Sequence, residues 1–163
     1  MPGGLAVRPT TDMAKESLFN ILGNHIEFEE IRVLDLFAGT GNISFEFASR
    51  GARQVIAVDT NSRCIKFISE MASTLSFQNL IAVKTSAFSF LKFTSQKFDI
   101  IFADPPYDME GIEEIITLVF SNQILDKNGM LVMEHPKEKV FDDFPQFLEK
   151  RKYGMVNFSF FKQ

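Results

Sequence analysis

The strongest constraint on this chain's fold is a regular alternation of short apolar runs with stretches of helical spacing. Residues 31–37, 54–58, 80–84, 98–103 and 129–134 read as strands. The fourth, Phe-Asp-Ile-Ile-Phe-Ala, is apolar enough to be buried on both faces. Residues 11–22, 42–50, 62–74, 87–93 and 112–122 read as helices. Leu18, Phe19 and Leu22 fall at helical spacing in the first of these, with Thr11 or Asp12 as its cap. Gly51 stops the second, and Asp126-Lys127-Asn128-Gly129 supplies a turn into the fifth strand. The end of the chain breaks the pattern. Two strands, around 147–152 and 155–161, are separated only by Tyr153-Gly154. A link that short cannot make a parallel crossover, so the pair should be an antiparallel hairpin. The whole pattern predicts an α/β fold with a doubly wound, mostly parallel sheet ending in that hairpin.

Composition sets the outer limits. A chain of 163 residues with 45% hydrophobic residues has enough apolar material for one real core. The expectation is one domain over 1–163, with 1–10 as an N-terminal arm and 11–163 as the core. The 19 phenylalanines read as core fillers. No apolar run approaches the roughly 18 residues of a spanning helix, so no membrane partner is expected. The opening Met1 to Val7 is too short and uncharged for a secretory signal. Cys64 is the only cysteine, which rules out an internal disulfide and suits a reducing, cytoplasmic setting. His25 and His135, with that one cysteine, make no metal spacing, so no metal is expected. The net charge of −4 argues against a dedicated nucleic-acid binder. Lys137, Lys139 and the run Lys150-Arg151-Lys152 crowd the last quarter, where they read as a solvated face.

The chemistry-bearing residues sit where the strands end. Val33-Leu34-Asp35-Leu36-Phe37 runs into Ala38-Gly39-Thr40-Gly41. Glycines in that turn let backbone approach a ligand, and the next helix points free N–H groups at it. A dinucleotide fingerprint would place a third glycine where Ser44 stands. The Asp35 carboxylate would also repel a pyrophosphate. It suits a cation, and the ammonium and sulfonium of S-adenosylmethionine fit best. Asp59 ends the second strand, with Thr60 and Asn61 after it, and is placed to accept two ribose hydroxyls. Thr85, Ser86, Ala87 and Phe88 follow the third strand along the expected adenine edge, Ser86 facing the amine.

Asp104-Pro105-Pro106-Tyr107 follows the fourth strand. Two consecutive prolines resist helix and donate no backbone hydrogen bonds. The result is a stiff turn offering a carboxylate, free carbonyls and an aromatic ring, suited to a planar molecule with an exocyclic amine. In a doubly wound sheet the first and fourth strands are neighbours at the topological switch point. A methyl donor at Gly39–Gly41 would then lie beside an amine acceptor at Asp104–Tyr107, and the product would be S-adenosylhomocysteine.

The chain resembles the RsmD-type bacterial methyltransferases, which modify the exocyclic N2 of a guanine in 16S ribosomal RNA. The likeness rests on Arg8-Pro9-Thr10-Thr11-Asp12, Glu16-Ser17-Leu18-Phe19-Asn20, the Asp35–Gly41 segment, Asp104-Pro105-Pro106-Tyr107, Glu134-His135 and Lys152-Tyr153-Gly154. The resemblance implies a Rossmann-like, class I S-adenosylmethionine-dependent methyltransferase working on 16S ribosomal RNA or a small-subunit particle. It implies substrate contacts for Arg8, Thr10, Thr11 and Asp12, with Arg8 meeting a phosphate. Two departures stand out. Only seven residues precede Arg8, where a basic leader is expected, so the leader is either truncated or replaced by another RNA-binding device. Ser86 stands where an Asp would face adenine. Nothing in the sequence demands more than a monomer. Amino methylation of adenine or of a protein glutamine, and a non-catalytic cofactor-binding module, are the other readings.

Overall fold

The structure is a computed structural model, and it describes residues 11–163. In chain order the elements are α1 (Asp12–Gly23), a 3-10 turn (Phe28–Glu30), β1 (Arg32–Leu36), α2 (Asn42–Ser49), β2 (Gln54–Asp59), α3 (Ser62–Thr74), β3 (Leu80–Lys84), α4 (Ala87–Phe93), β4 (Phe98–Ala103), α5 (Glu113–Ser121), β5 (Leu125–His135), β6 (Phe147–Tyr153) and β7 (Val156–Phe161). All seven strands form one sheet in the order β3-β2-β1-β4-β5-β7-β6. The first five pair in parallel, and β7 runs antiparallel to both β5 and β6. This is the doubly wound sheet with an antiparallel end that the alternation implied.

Local chemistry explains most element boundaries. Thr11 caps α1 by accepting from the Ala14 N–H at 3.2 Å, as the sequence suggested. Asn61 caps α3 by accepting from Arg63 and Cys64. Ser86 caps α4 through the Ser89 N–H at 3.0 Å. Several ends shift by one residue, and two differences from the sequence reading change how strands connect. β5 begins at Leu125, so Asp126 to Gly129 is not a turn ahead of the strand but a bulge within it. Phe98 pairs with Leu125 and Ile100 with Met130, leaving four residues with no partner of their own beyond Asp99. A Cβ on Gly129 would stand 2.8 Å from the Asp126 carbonyl oxygen, so only glycine fits that fold-back. The hairpin turn is also one residue later than expected. Tyr153 still pairs with Val156, its ring packed against Phe158, and Gly154-Met155 makes the turn.

Strand alternation divides the core between the two faces of the sheet. Val33, Val55, Ile100, Phe102 and Phe158 meet α1, α2 and α3 through Leu18, Phe47 and Ile68. Leu34, Ile56, Ile101, Leu131 and Phe161 meet α4 and α5 through Leu91, Ile115 and Val119. Buried rings such as Phe19, Phe47 and Phe160 confirm the core-filling role, each stabilising by about 1.5–3 kcal/mol relative to exposure. Phe93, 84% exposed, departs from it. Pairing of Leu36 with Ala103 brings the ends of β1 and β4 side by side. At the other end of the same pair, the Arg32 N–H donates to Asp99 Oδ2 at 2.8 Å, across 67 residues of chain.

Candidate active site

A cleft of about 610 Å³ opens at the carboxyl ends of β1, β2 and β4, a size that suits a nucleoside-bearing ligand. The turn after β1 forms one wall. Phe37 takes φ of 60° and Gly39 φ of 58°; the left-handed conformation is strained for a bulky side chain and marks functional turns. Ala38 N–H donates to the Val58 carbonyl at 2.9 Å, tying the turn to β2. Gly41 then starts α2 at φ 85°, and its missing Cβ would stand 2.9 Å from both Ile68 and Phe45. Gly41→Ala should therefore lower stability by about 1–3 kcal/mol in a denaturant titration.

Two carboxylates are fixed in this wall. Asp59 Oδ2 accepts from the Gly39 N–H and Oδ1 from the Asn61 N–H, each at 2.8 Å. It does not cap α3, since Asn61 does, and it lines the cleft. Asp35 is almost fully buried, and Ser44 Oγ donates to its Oδ2 at 2.6 Å. Burial pushes the Asp35 carboxyl up to about 7; the Ser44 hydrogen bond opposes this and the Asp59 charge adds to it. Ser44, at the third-glycine position, thus steadies a desolvated carboxylate.

The cleft gathers most of the residues the sequence singled out. Asp35, Phe37, Ala38, Gly39 and Thr40 line it, as do Asp59, Thr60, Asn61, Ser86, Ala87 and Phe88. Asp104, Pro105, Pro106 and Tyr107 line it as well. Gly41, Thr11 and Asp12 do not line it, and Arg8 and Thr10 lie outside the described residues. Thr85, read with the loop after the third strand, lines it too, and sequence reasoning missed Asn42, Ile43, Val58, Phe102 and Met109. Asn42 carried a signal, being the first residue after the glycine turn; its Oδ1 accepts from Lys15 Nζ of α1 at 3.0 Å. Met109, two residues past the tetrapeptide, carried none.

Glu134 and His135 end β5 as buried groups outside the cleft lining. His135 Nδ1 lies 2.8 Å from the Pro136 carbonyl, which can only accept, so Nδ1 holds the proton. Nε2 then accepts from the Ser159 hydroxyl at 2.7 Å. Burial holds the imidazole below its ordinary pKa, partly offset by the Pro136 bond, with nearby Lys150 adding to the lowering. Among the described residues, no group of three acidic, histidine or cysteine side chains could hold a metal, and no helix is long and apolar enough to cross a membrane.

A model of the family described as conserved hypothetical protein 95 matches residues 1–162. The chain belongs to the conserved hypothetical protein 95 family. A family relative from Haemophilus influenzae, ribosomal RNA small subunit methyltransferase D, is 30% identical over 96% of this chain and 83% of its own length. A Bacillus subtilis relative provisionally named rRNA methyltransferase YlbH is 33% identical over 98% of this chain and 90% of its own. The solved structure of the provisionally named methyltransferase yhhF from Escherichia coli is 27% identical, with a TM-score of 0.84 over 95% of this chain and 86% of its own. The conserved hypothetical protein 95 chain is thus a methyltransferase with the Rossmann-like class I fold, and the RsmD-type resemblance holds.

Proposed function

We propose that this chain methylates the exocyclic N2 amine of a guanine in small-subunit ribosomal RNA, using S-adenosylmethionine. The observation that carries this reading is the Leu36–Ala103 pairing, which sets the Asp35–Thr40 segment and the Asp104–Tyr107 turn side by side in one cleft. Relatives named for ribosomal RNA methylation support the substrate.

The donor side fits the cofactor. Asp59, already held by two backbone N–H groups, presents its free lone pairs to the ribose hydroxyls. The first turn of α2 has no side-chain cap, so its N–H groups suit a carboxylate, while Asp35 suits the neighbouring ammonium. Ala87 and Phe88 offer apolar contact to the adenine. Bound there, the cofactor would supply an electrophilic methyl group.

The acceptor side addresses the weakness of an aryl amine as nucleophile, whose lone pair is delocalised into the ring. Asp104 and the Pro105 carbonyl accept the amine hydrogens and help localise that pair toward the methyl. Tyr107 holds the base plane by stacking, and alignment provides much of the acceleration. A base inside a helix cannot reach this depth, so the guanine must be unpaired or flipped out.

Ser86 tests the adenine assignment separately. Its oxygen already accepts the Ser89 N–H, which leaves it a weak acceptor for the adenine amine. Ser86→Asp keeps the cap and adds a second oxygen. Calorimetry should show cofactor bound several-fold more tightly. The function itself is tested by incubating the protein with methyl-labelled cofactor and small-subunit particles or deproteinised RNA from a methylation-deficient strain. Label on guanine N2 supports the reading; label only on adenine or protein refutes it.

A further inference from the structure

The chain carries net negative charge, yet its last edge strand is basic. β6 holds Lys150, Arg151 and Lys152 against a single acid, Glu149. Glu149 pairs with Arg151 at 3.4 Å. Lys150 and Lys152 are exposed and make no ion pair among the described residues. By contrast Lys15, Arg50, Lys66, Lys92 and Lys139 each sit beside a glutamate. Spacing of two residues puts the unpaired lysines on one face of the strand, that of His135, whose imidazole feels the Lys150 charge.

Register fixes where they stand. Ala103 pairs with Met133, and His135 pairs with Asn157, which pairs in turn with Lys152. One row nearer the sheet centre, Glu134 pairs with Phe158 and Phe158 with Arg151. The rows leading out from Asp104 and Pro105 therefore end on Arg151 and Lys152. Strands lie about 4.8 Å apart, so three spacings set β6 roughly 14 Å from the tetrapeptide on the same rim of the sheet. The start of α1 packs at the same end of β6, with Met13 Cε 3.7 Å from where a Cβ on Gly154 would stand.

We propose that Lys150 and Lys152 form a phosphate rail, along which the RNA backbone runs into the cleft a few nucleotides from the base that enters it. The rail rests on the RNA-methylating function proposed above. Mobile ammonium groups on an open edge suit phosphate oxygens regardless of sequence, which is how a positioning contact differs from a base-reading one. They also supply local positive charge to a chain that is acidic overall. Edge lysines have a competing duty, which is to keep the strand from pairing with other sheets. That duty needs charge of either sign, whereas a phosphate needs a cation.

The test uses that difference. The full-length Lys150→Glu/Lys152→Glu variant keeps the edge charged, and Lys150→Arg/Lys152→Arg keeps it cationic. Binding to fluorescently labelled small-subunit RNA is followed by anisotropy across a potassium chloride series, with cofactor binding and thermal melting measured in parallel. The glutamate pair should bind RNA at least about 10-fold more weakly at low salt and flatten the log–log salt slope by about 1.4–2. The arginine pair should match wild type, and cofactor affinity and melting should stay unchanged in both. Unaltered RNA affinity and slope in the glutamate pair would overturn the rail, as would failure of the wild type to bind RNA at all. If the wild type binds RNA with a lysine-dependent slope but places no label on guanine, the methylation reading falls and the rail stands.

Discussion

Asp104→Ala is expected to slow methyl transfer to RNA by about 10²–10³-fold, with cofactor affinity held within roughly twofold. The carboxylate follows β4, whereas Asp35 and Asp59 stand on β1 and β2, so truncating it should leave the donor side intact. What disappears is the acceptor that helps localise the amine lone pair, and that contact matters most as the new bond forms. The loss should therefore fall on kcat, with little change in KM for RNA. Asp104→Asn keeps an acceptor oxygen without the charge and should fall between. Single-turnover transfer with labelled cofactor measures all three forms, and melting confirms that each is folded. Undiminished transfer by the alanine form would remove Asp104 from the mechanism.

Asp35→Asn should do two opposite things: weaken cofactor binding by about 10²-fold and stabilise the fold at neutral pH. The folded-state pKa is raised to about 7 from 3.8, with burial as the chief cause. Between those values the folded chain holds a proton that the unfolded chain releases. Stability therefore falls as pH rises from about 4 to about 7 and levels off above. Asparagine cannot ionise and can still accept from Ser44, so it escapes the penalty. Its melting temperature should exceed that of wild type at pH 8, by about 2–4 °C for each kcal/mol relieved, and the gap should close near pH 4. Wild-type cofactor affinity should weaken about tenfold per unit as pH drops below 7, because the ammonium needs the anion. Calorimetry over pH 5.5–8.5 reads the binding, and scanning fluorimetry reads the stability. A variant that binds as wild type would refute the ammonium assignment.

Position along the chain explains what the sequence revealed. Strand ends were legible because each marks a change from apolar run to polar turn; Asp59 and Asp104 stand at such changes, and Asp35 shows as a lone carboxylate inside the apolar run of β1. The Asn61 cap and the Ser86 cap show the limit. Both line the cleft, and only the hydrogen-bond geometry shows that their side chains also cap helices. Ser44 was visible as a missing glycine, but its bond to Asp35 depends on how α2 leaves the turn. The bulge at Asp126 to Gly129 read as a turn because its residues are turn formers. Only the pairing with β4 shows that the strand has already begun. Met109 lines the cleft through the path of the loop, which no periodicity encodes.

The hydrogen bond between Arg32 and Asp99 joins two stretches that are made at different times. A chain growing from its N-terminus completes the donor wall, β1 to β3, before β4 exists. Closing a contact across 67 residues carries an entropic cost that grows with loop length, and non-local pairing slows folding. The acceptor wall is thus a late acquisition in the life of each molecule. On the proposed function, the residues assigned to the cofactor are therefore made before those assigned to the base.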